Sequence, residues 1–355
     1  MDVALNSEQL SLRDTVRDIL RTECPSDAAR QAMTDPERWR ALWKTVVDLG
    51  WTDLAQTGDY GPVELAVVLE ECGAAIAPIP LLSSVGLAAG ALRGTELDAV
   101  LDDIAGGAVA TLAVHAKGSR LPGAPMTLRR GRLRGRAVGV PDLSRAELLV
   151  TLARPDTDPN GTVVAVARCD DGVTVIAGES TDPAHPLADV EVDTEPVAAA
   201  PVEIDTALTS PLVAAAADLV GVAGAALQRS VEHAKTRRQF GTPIGAFQGI
   251  KHALADNYVG LERARSLTYA AAARLHDPTT APADAWTSAA LAKAAAGDAA
   301  VNCARTAVQV HGALGQTWEH DAHLYVRHAW QAAAMLGDSR ALYHEVGRRF
   351  AGNAK

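Results

Sequence analysis

Aromatic residues are scarce. Three phenylalanines, five tyrosines and six tryptophans make up 4% of the 355 residues, and none falls between positions 105 and 200. A stretch that long without a ring has little bulk for a deep core, so it is expected to form a small, thin unit. Cysteine is sparse as well. Cys24, Cys72, Cys169 and Cys303 lie far apart, with no Cys-x-x-Cys pair and no histidines at zinc-finger spacing. This argues against a disulfide framework, points to a reducing compartment and leaves no expected structural metal. There is no Gly-x-Gly-x-x-Gly, no P-loop and no credible Ser-His-Asp arrangement, which removes the common dinucleotide, nucleotide and hydrolase classes. Basic charge is in deficit too. A formal net charge of −10 speaks against nucleic acid or an anionic membrane as the main partner. The opening MDVALNSEQL lacks the basic and apolar regions of a leader, so a soluble, cytoplasmic protein is expected.

What the chain does have is apolar content for a globular fold of two or three domains: 48% hydrophobic against 21% charged. One uncharged run, 73–92, reaches membrane-spanning length. It holds Pro78, Pro80, Ser83 and Ser84 with little bulk, and reads as buried helix ends and a turn.

The texture changes twice. Residues 7–95 read as helices. Ser7 can cap the first, which lines up Leu10, Leu12, Val16, Ile19 and Leu20. A second, over 36–49, carries Trp39, Leu42, Trp43, Val46 and Val47 and stops at Gly50; a third covers 62–74. Short apolar runs at 108–114, 147–153, 162–167 and 173–176 then alternate with turn-rich pieces such as 154–161, which is β texture. From 210 onward four long helices are expected, over 210–237, 244–276, 283–311 and 319–350. Alanine and glycine crowd the first and third (LVAAAADLVGVAGAAL, ALAKAAAGDAAVNCA), so backbones can approach closely, as in a bundle at the core of an oligomer. The expected fold is α+β and mainly α: a helical domain over 1–104, a β domain over 105–205 and a four-helix bundle over 206–355.

One basic island stands out in this acidic chain. Between Arg229 and Arg265 lie seven lysines and arginines (Arg229, Lys235, Arg237, Arg238, Lys251, Arg263, Arg265) against three acids (Glu232, Asp256, Glu262). A small anionic ligand is one reading and a solvated helix face the other.

The segments RRQFGTPIGAFQGIKHALAD (237–256) and AVQVHGALGQTWEHDAHLYVRHA (307–329) resemble the two signature turns of the acyl-CoA dehydrogenases, and ERWRALWKTVVDLGWTDLA (37–55) is similar to their N-terminal region. The resemblance is closest to the small-subunit types of actinobacteria. It implies FAD as cofactor, acyl-CoA as substrate and an electron-transfer flavoprotein as acceptor. It also implies that both turns hold the ADP half of a neighbouring subunit's FAD. Arg237 would meet the pyrophosphate with Gln239 and Phe240 beside it, and Gln309 and the Gly312 backbone would approach from the second turn. A guanidinium forks onto phosphate oxygens, and glycine permits close backbone approach. Ala313 stands where the family usually has a second glycine.

The same resemblance exposes gaps. The family takes the substrate's α-proton with a glutamate at one of two positions, and here these are Leu336 and Pro211. The Thr-Glu-Pro and Gly-Ser-Asp contacts to the flavin ring are replaced by TLAVHAKGSRLPGAP (111–125), and a further ring contact corresponds to 138–141 (VGVP). Three readings follow from that division. The chain is the partner without a base in an α2β2 assembly; or a self-sufficient homo-oligomer with a displaced base at Asp338, Asp218 or Glu319; or a flavin-free scaffold. A metal at His320, Asp321 and His323 is disfavoured for want of a clear third ligand. The substrate expected from the resemblance is a bulky, ring-bearing acyl-CoA such as a steroid fragment in β-oxidation.

Overall fold

A computed structural model describes residues 4–56, 60–158 and 160–353. The N-terminal part is helical: α1 (Ser7–Glu23), α2 (Ala28–Ala32), α3 (Trp39–Asp48), α4 (Pro62–Ala75), α5 (Leu82–Leu92) and α6 (Asp98–Ala105). The cap of α1 is Asn6 rather than Ser7: its side chain accepts from the Gln9 N–H while the Gln9 side chain returns to the Asn6 N–H. Both orphan donors are thereby satisfied. Helix α3 buries Trp39, Leu42, Trp43 and Val46 as its spacing predicts, and Gly50 follows it with φ +73°. The uncharged run 73–92 is the end of α4, a turn and α5, most of it buried. Ser83 and Ser84 are the polar hooks of that run, bonding Asp142 Oδ2 at 2.8 Å and the Ala110 carbonyl at 3.1 Å.

Eight strands form one sheet: β1 (Ala110–Ala113), β2 (Met126–Arg129), β3 (Arg132–Pro141), β4 (Leu148–Pro155), β5 (Val163–Arg168), β6 (Val173–Ala177), β7 (Leu187–Thr194) and β8 (Ala198–Pro201). The order is β6-β7-β3-β2-β4-β5-β8, with β1 parallel to β4. The four apolar runs are β1, β4, β5 and β6. Strands β2, β3, β7 and β8 escape that reading because β3 and β7 alternate apolar with charged residues. Leu133 and Ala137 pack inward beside Val190 and Val192, while Arg132, Arg134 and Arg136 pair across the outer face with Asp193, Asp189 and Glu191. At β3 and β7 one face is buried and the other solvated, whereas β1, β4 and β5 are buried on both. The sheet core is aliphatic, as the missing rings require.

The bundle comprises α7 (Ile204–Thr236), α8 (Gln248–His276), α9 (Pro282–His311), α10 (Ala322–Ala334) and α11 (Ser339–Asn353). The expected single helix over 319–350 is therefore two. Leu336 at φ +57° and Gly337 at φ +102° break it, both in the left-handed half of the map. Lys293 of α9, fully buried, closes the break by donating to the carbonyls of Ala333 at 3.0 Å and Gly337 at 3.3 Å. Burial pushes this ammonium down to about 7 against the pull of Asp338, Asp218 and Asp298. Helix α7 is long and apolar enough to span a membrane by length and composition, but 89% of its most apolar window is buried inside the protein. Close packing of α7 on α4 rests on two glycines. A Cβ on Gly221 would lie 1.9 Å from the Glu70 carbonyl oxygen, and one on Gly73 2.1 Å from that of Asp218.

Candidate functional site

Helix α7 ends where its C-cap, Arg237, turns extended, and a two-strand hairpin follows that pairs Arg238–Gln239 (β9) with Thr242–Pro243 (β10). Phe240 and Gly241 form its turn at φ +51° and +80°, the paired left-handed geometry of a tight hairpin. That turn pushes Phe240 out of the protein, 94% exposed, with Phe247 edge-on at 6.2 Å. Among the described residues the Arg237 guanidinium has no hydrogen-bond or ion-pair partner, whereas Arg238 reaches back to the Gly241 carbonyl at 3.4 Å. At the end of α9, Gln309 is exposed and Gly312 takes φ +64°, ψ −141°, a conformation for glycine. A Cβ on Gly241 or Gly312 would meet nothing within 4 Å, so both backbones are open to approach. Ala313 is exposed and lies outside the left-handed region, so its backbone does not call for the family's glycine. The two turns meet through a histidine stack: His233 lies 4.2 Å from His311, which lies 4.4 Å from His320. Burial and the neighbouring His311 lower the proton affinity of both His233 and His320. This end fits a phosphate-bearing group: it offers the unpartnered Arg237 guanidinium and, in each turn, a glycine backbone open to approach.

The other half of the expected flavin site is filled. His115, just beyond β1, accepts the Leu336 N–H on Nε2 at 3.2 Å, and its carbonyl takes the Val138 N–H at 2.9 Å. The Gly123 N–H bonds the Val114 carbonyl at 2.8 Å, and the Gly139 N–H bonds Asp189 at 3.1 Å inside a bulge of β3. Arg120 then pairs with Asp338 through Nε at 3.0 Å. The Gly123, Val138 and Gly139 N–H groups are thus bonded within the chain and are not free donors for an isoalloxazine.

Neither base position carries a carboxylate, and both are buried in packed surroundings. Leu336 is 2% exposed and belongs to the main core. Pro211, buried in α7, packs where α5 passes: a Cβ on Gly90 would lie 3.2 Å from its Cδ. Two of the displaced candidates are occupied elsewhere, and the third lies on the surface. Asp338 caps α11 through the Ala341 N–H at 3.0 Å and holds Arg120; burial opposes ionisation, yet these partners keep its carboxyl below the usual range. Asp218 bonds His328 Nε2 at 3.0 Å, and Glu319 sits exposed in the turn before α10. Asp321 is taken by Arg30 at 2.7 Å and Arg229 at 3.2 Å, and His323 bonds the Trp318 carbonyl, so His320, Asp321 and His323 do not converge.

A cluster absent from the sequence reading lies where the sheet, α4, α7 and α10 meet. Asp182 Oδ2 is 2.8 Å from Nδ1 of both His185 and His328, and those two nitrogens are 3.2 Å apart. Burial alone would depress the His328 imidazole, but Asp218 and Asp182 on either side hold it up at about 10. Burial would likewise raise Asp182, and His185 and His328 outweigh it in the opposite direction. Residues 182, 185, 218 and 328 are too scattered for any spacing rule to join them. The cavity beside them, lined by Cys72, Ser83, His185, Asp218, His328 and Met335 among others, has room of about 40 Å³ for water. That holds a few water molecules and no acyl chain, since ligand pockets measure roughly 300–1,000 Å³.

Comparison with known proteins agrees with this geometry. Residues 6–96 match the family model for the acyl-CoA dehydrogenase N-terminal domain, and 204–350 the one for the acyl-CoA dehydrogenase C-terminal domain. This chain belongs to the acyl-CoA dehydrogenase family. It is 31% identical to the acyl-CoA dehydrogenase IpdE2 of Mycobacterium tuberculosis over 96% of both chains, and 32% identical to IpdE2 of Mycolicibacterium smegmatis over 95% of this chain and 96% of that one. Among solved structures, the ChsE4–ChsE5 complex of Mycobacterium tuberculosis superposes with a TM-score of 0.86 at 27% identity, over 99% of each chain. A variant of the Tcur3481–Tcur3483 steroid ACAD gives 0.87 at 25% identity over 98% of each.

Proposed function

We propose that this chain is the subunit without a base in a heteromeric, FAD-dependent acyl-CoA dehydrogenase, completing a flavin site whose ring contacts and glutamate come from a second chain. The observation that carries this is the pair of base positions: Leu336 sits in the core and Pro211 is packed against α5. In the complex Arg237 would hold the pyrophosphate, and Gln239, Phe240, Gln309 and the Gly312–Ala313 backbone would hold the rest of the ADP half. Bound FAD supplies the acceptor for the substrate's β-hydride, and the partner's glutamate takes the α-proton. The likeness to the ChsE4–ChsE5 complex and to a steroid ACAD supports a two-chain assembly acting on a steroid-derived or similarly bulky acyl-CoA, and we take that assembly to be an α2β2 tetramer. We place the complex in the cytoplasm, passing electrons to an electron-transfer flavoprotein. A homo-oligomer using Asp338 would need that carboxylate released from Arg120 and from the α11 cap.

The test is an assay of the co-expressed pair with an acyl-CoA and an artificial acceptor. Replacing the partner's glutamate should abolish turnover with flavin retained, while Asp338→Asn, Asp218→Asn and Glu319→Gln here leave it within about tenfold, roughly 1.4 kcal/mol in the barrier. A thousandfold loss from Asp338→Asn with full flavin would place the base in this chain.

A further inference from the structure

The cluster of Asp182, His185 and His328 has no part in the chemistry above, and its hydrogen bonding decides which nitrogens are free. His185 Nε2 lies 2.9 Å from the Ala77 carbonyl, which can only accept, so that nitrogen carries the proton. His328 Nε2 faces the Asp218 carboxylate at 3.0 Å and is likewise the N–H. When both rings are neutral, as metal ligands must be, the Nδ1 lone pair of each points inward, where Asp182 Oδ2 already lies. Three lone pairs then converge on the place a cation would take, and without one a proton held by His328 between Asp182 and Asp218 fills part of it. Protonating both rings instead would set two N–H groups face to face across 3.2 Å. Protonating one leaves the other nitrogen's lone pair against a carboxylate oxygen at 2.8 Å.

From this convergence we propose that Asp182 Oδ2, His185 Nδ1 and His328 Nδ1 bind one divalent transition-metal ion, with zinc the best fit to the donor set. All three donors lie within 4.8 Å of one another. A tetrahedral zinc with bonds of about 2.0–2.1 Å spaces its ligands by about 3.3–3.4 Å, so the observed separations need open by only about half an ångström. The support behind the ligands is that of a metal centre: each histidine donates its far N–H to a carboxylate or carbonyl, and Asp182 Oδ1 takes the Ala184 N–H at 3.1 Å. Gln331 clamps the ligand loop to α10, accepting the Asp182 N–H at 3.0 Å and donating to the His185 carbonyl at 2.6 Å. Charge balances as well, since two buried carboxylates, Asp182 and Asp218, meet one dication. The small cavity that His185 and His328 line leaves a fourth position for water. Such an ion would tie the loop before β7 to α10 and, through Asp218, to α7.

The experiment uses the full chain, in complex with its partner where that is the purified form. After chelator treatment it is titrated with zinc chloride against a chromophoric competitor, and separately with Co2+. One zinc per chain and the visible bands of four-coordinate Co2+ are expected. His185→Gln and His328→Gln should abolish uptake, and Asp218→Asn should weaken it on the order of 10–100-fold. His233→Gln, in the histidine stack at the other end, should leave it unchanged. Equal uptake by wild type and Asp182→Asn, or a Co2+ spectrum no different from the hydrated ion, would overturn the proposal and leave a metal-free hydrogen-bond network. The wild-type Co2+ spectrum decides by itself should a variant fail to fold.

Discussion

Arg237 is the residue on which the cofactor reading turns, because it is unpartnered among the described residues and leads into a hairpin whose Gly241 backbone is open. Arg237→Ala should cost the complex on the order of 2–4 kcal/mol of FAD affinity, the loss of a charge-assisted forked contact. Flavin content after dialysis measures it; unchanged content would make Arg237 a helix-end residue only. Lys293 offers a second test at this scale. Its folded proton affinity is lowered to about 7, so between about pH 7 and 10 the unfolded chain holds a proton that the folded chain lacks. Its contribution to stability therefore rises with pH across that window. Relative to Lys293→Met, the wild type should gain up to about 1.4 kcal/mol per pH unit. Paired thermal melts from pH 6 to 10 show this as a rise of the wild type relative to the variant, and a difference that does not change with pH would contradict it. Sequence could single out Arg237, Gln309 and the two base positions because each sits in a local motif. It could not show Lys293, Asp182, His185 and His328, whose meaning comes from partners far away in the chain.

Among the elements, the contact of α4 with α7 sets how closely the N-terminal helices approach the bundle. Gly221→Ala should destabilise the fold at the upper end of the ~1–3 kcal/mol typical of overpacking, since the added carbon meets backbone rather than a yielding side chain. Gly347→Ala is the control: it is exposed within α11 with nothing near its Cβ, and should stabilise by roughly 0.4–1 kcal/mol. Denaturant midpoints of the two variants should move in opposite directions. Periodicity and alanine content predicted the long helices well, because their buried faces are written locally. The break at Leu336–Gly337 was not legible, since it depends on Lys293 reaching across from α9. Strands β3 and β7 were missed for a related reason: their arginines and acids look like loop until the two are paired across the sheet.

For the molecule as a whole, one end of the bundle is finished and exposed while the ring side is closed upon itself. Phe240, Phe247, Tyr258, Val259, Leu314 and Trp318 are exposed on the hairpin, on or beside α8, and in the turns after α9, an apolar surface suited to a partner. The central claim is that a flavin site exists only between two different chains. Its most direct measurement is flavin per chain, by absorbance and light scattering, on this protein purified alone and with an acyl-CoA dehydrogenase chain carrying the glutamate. The account predicts flavin-poor, poorly soluble material alone, and a yellow complex with one FAD for each pair of unlike chains. A stable homotetramer of this chain alone, with one FAD in every subunit, would contradict it.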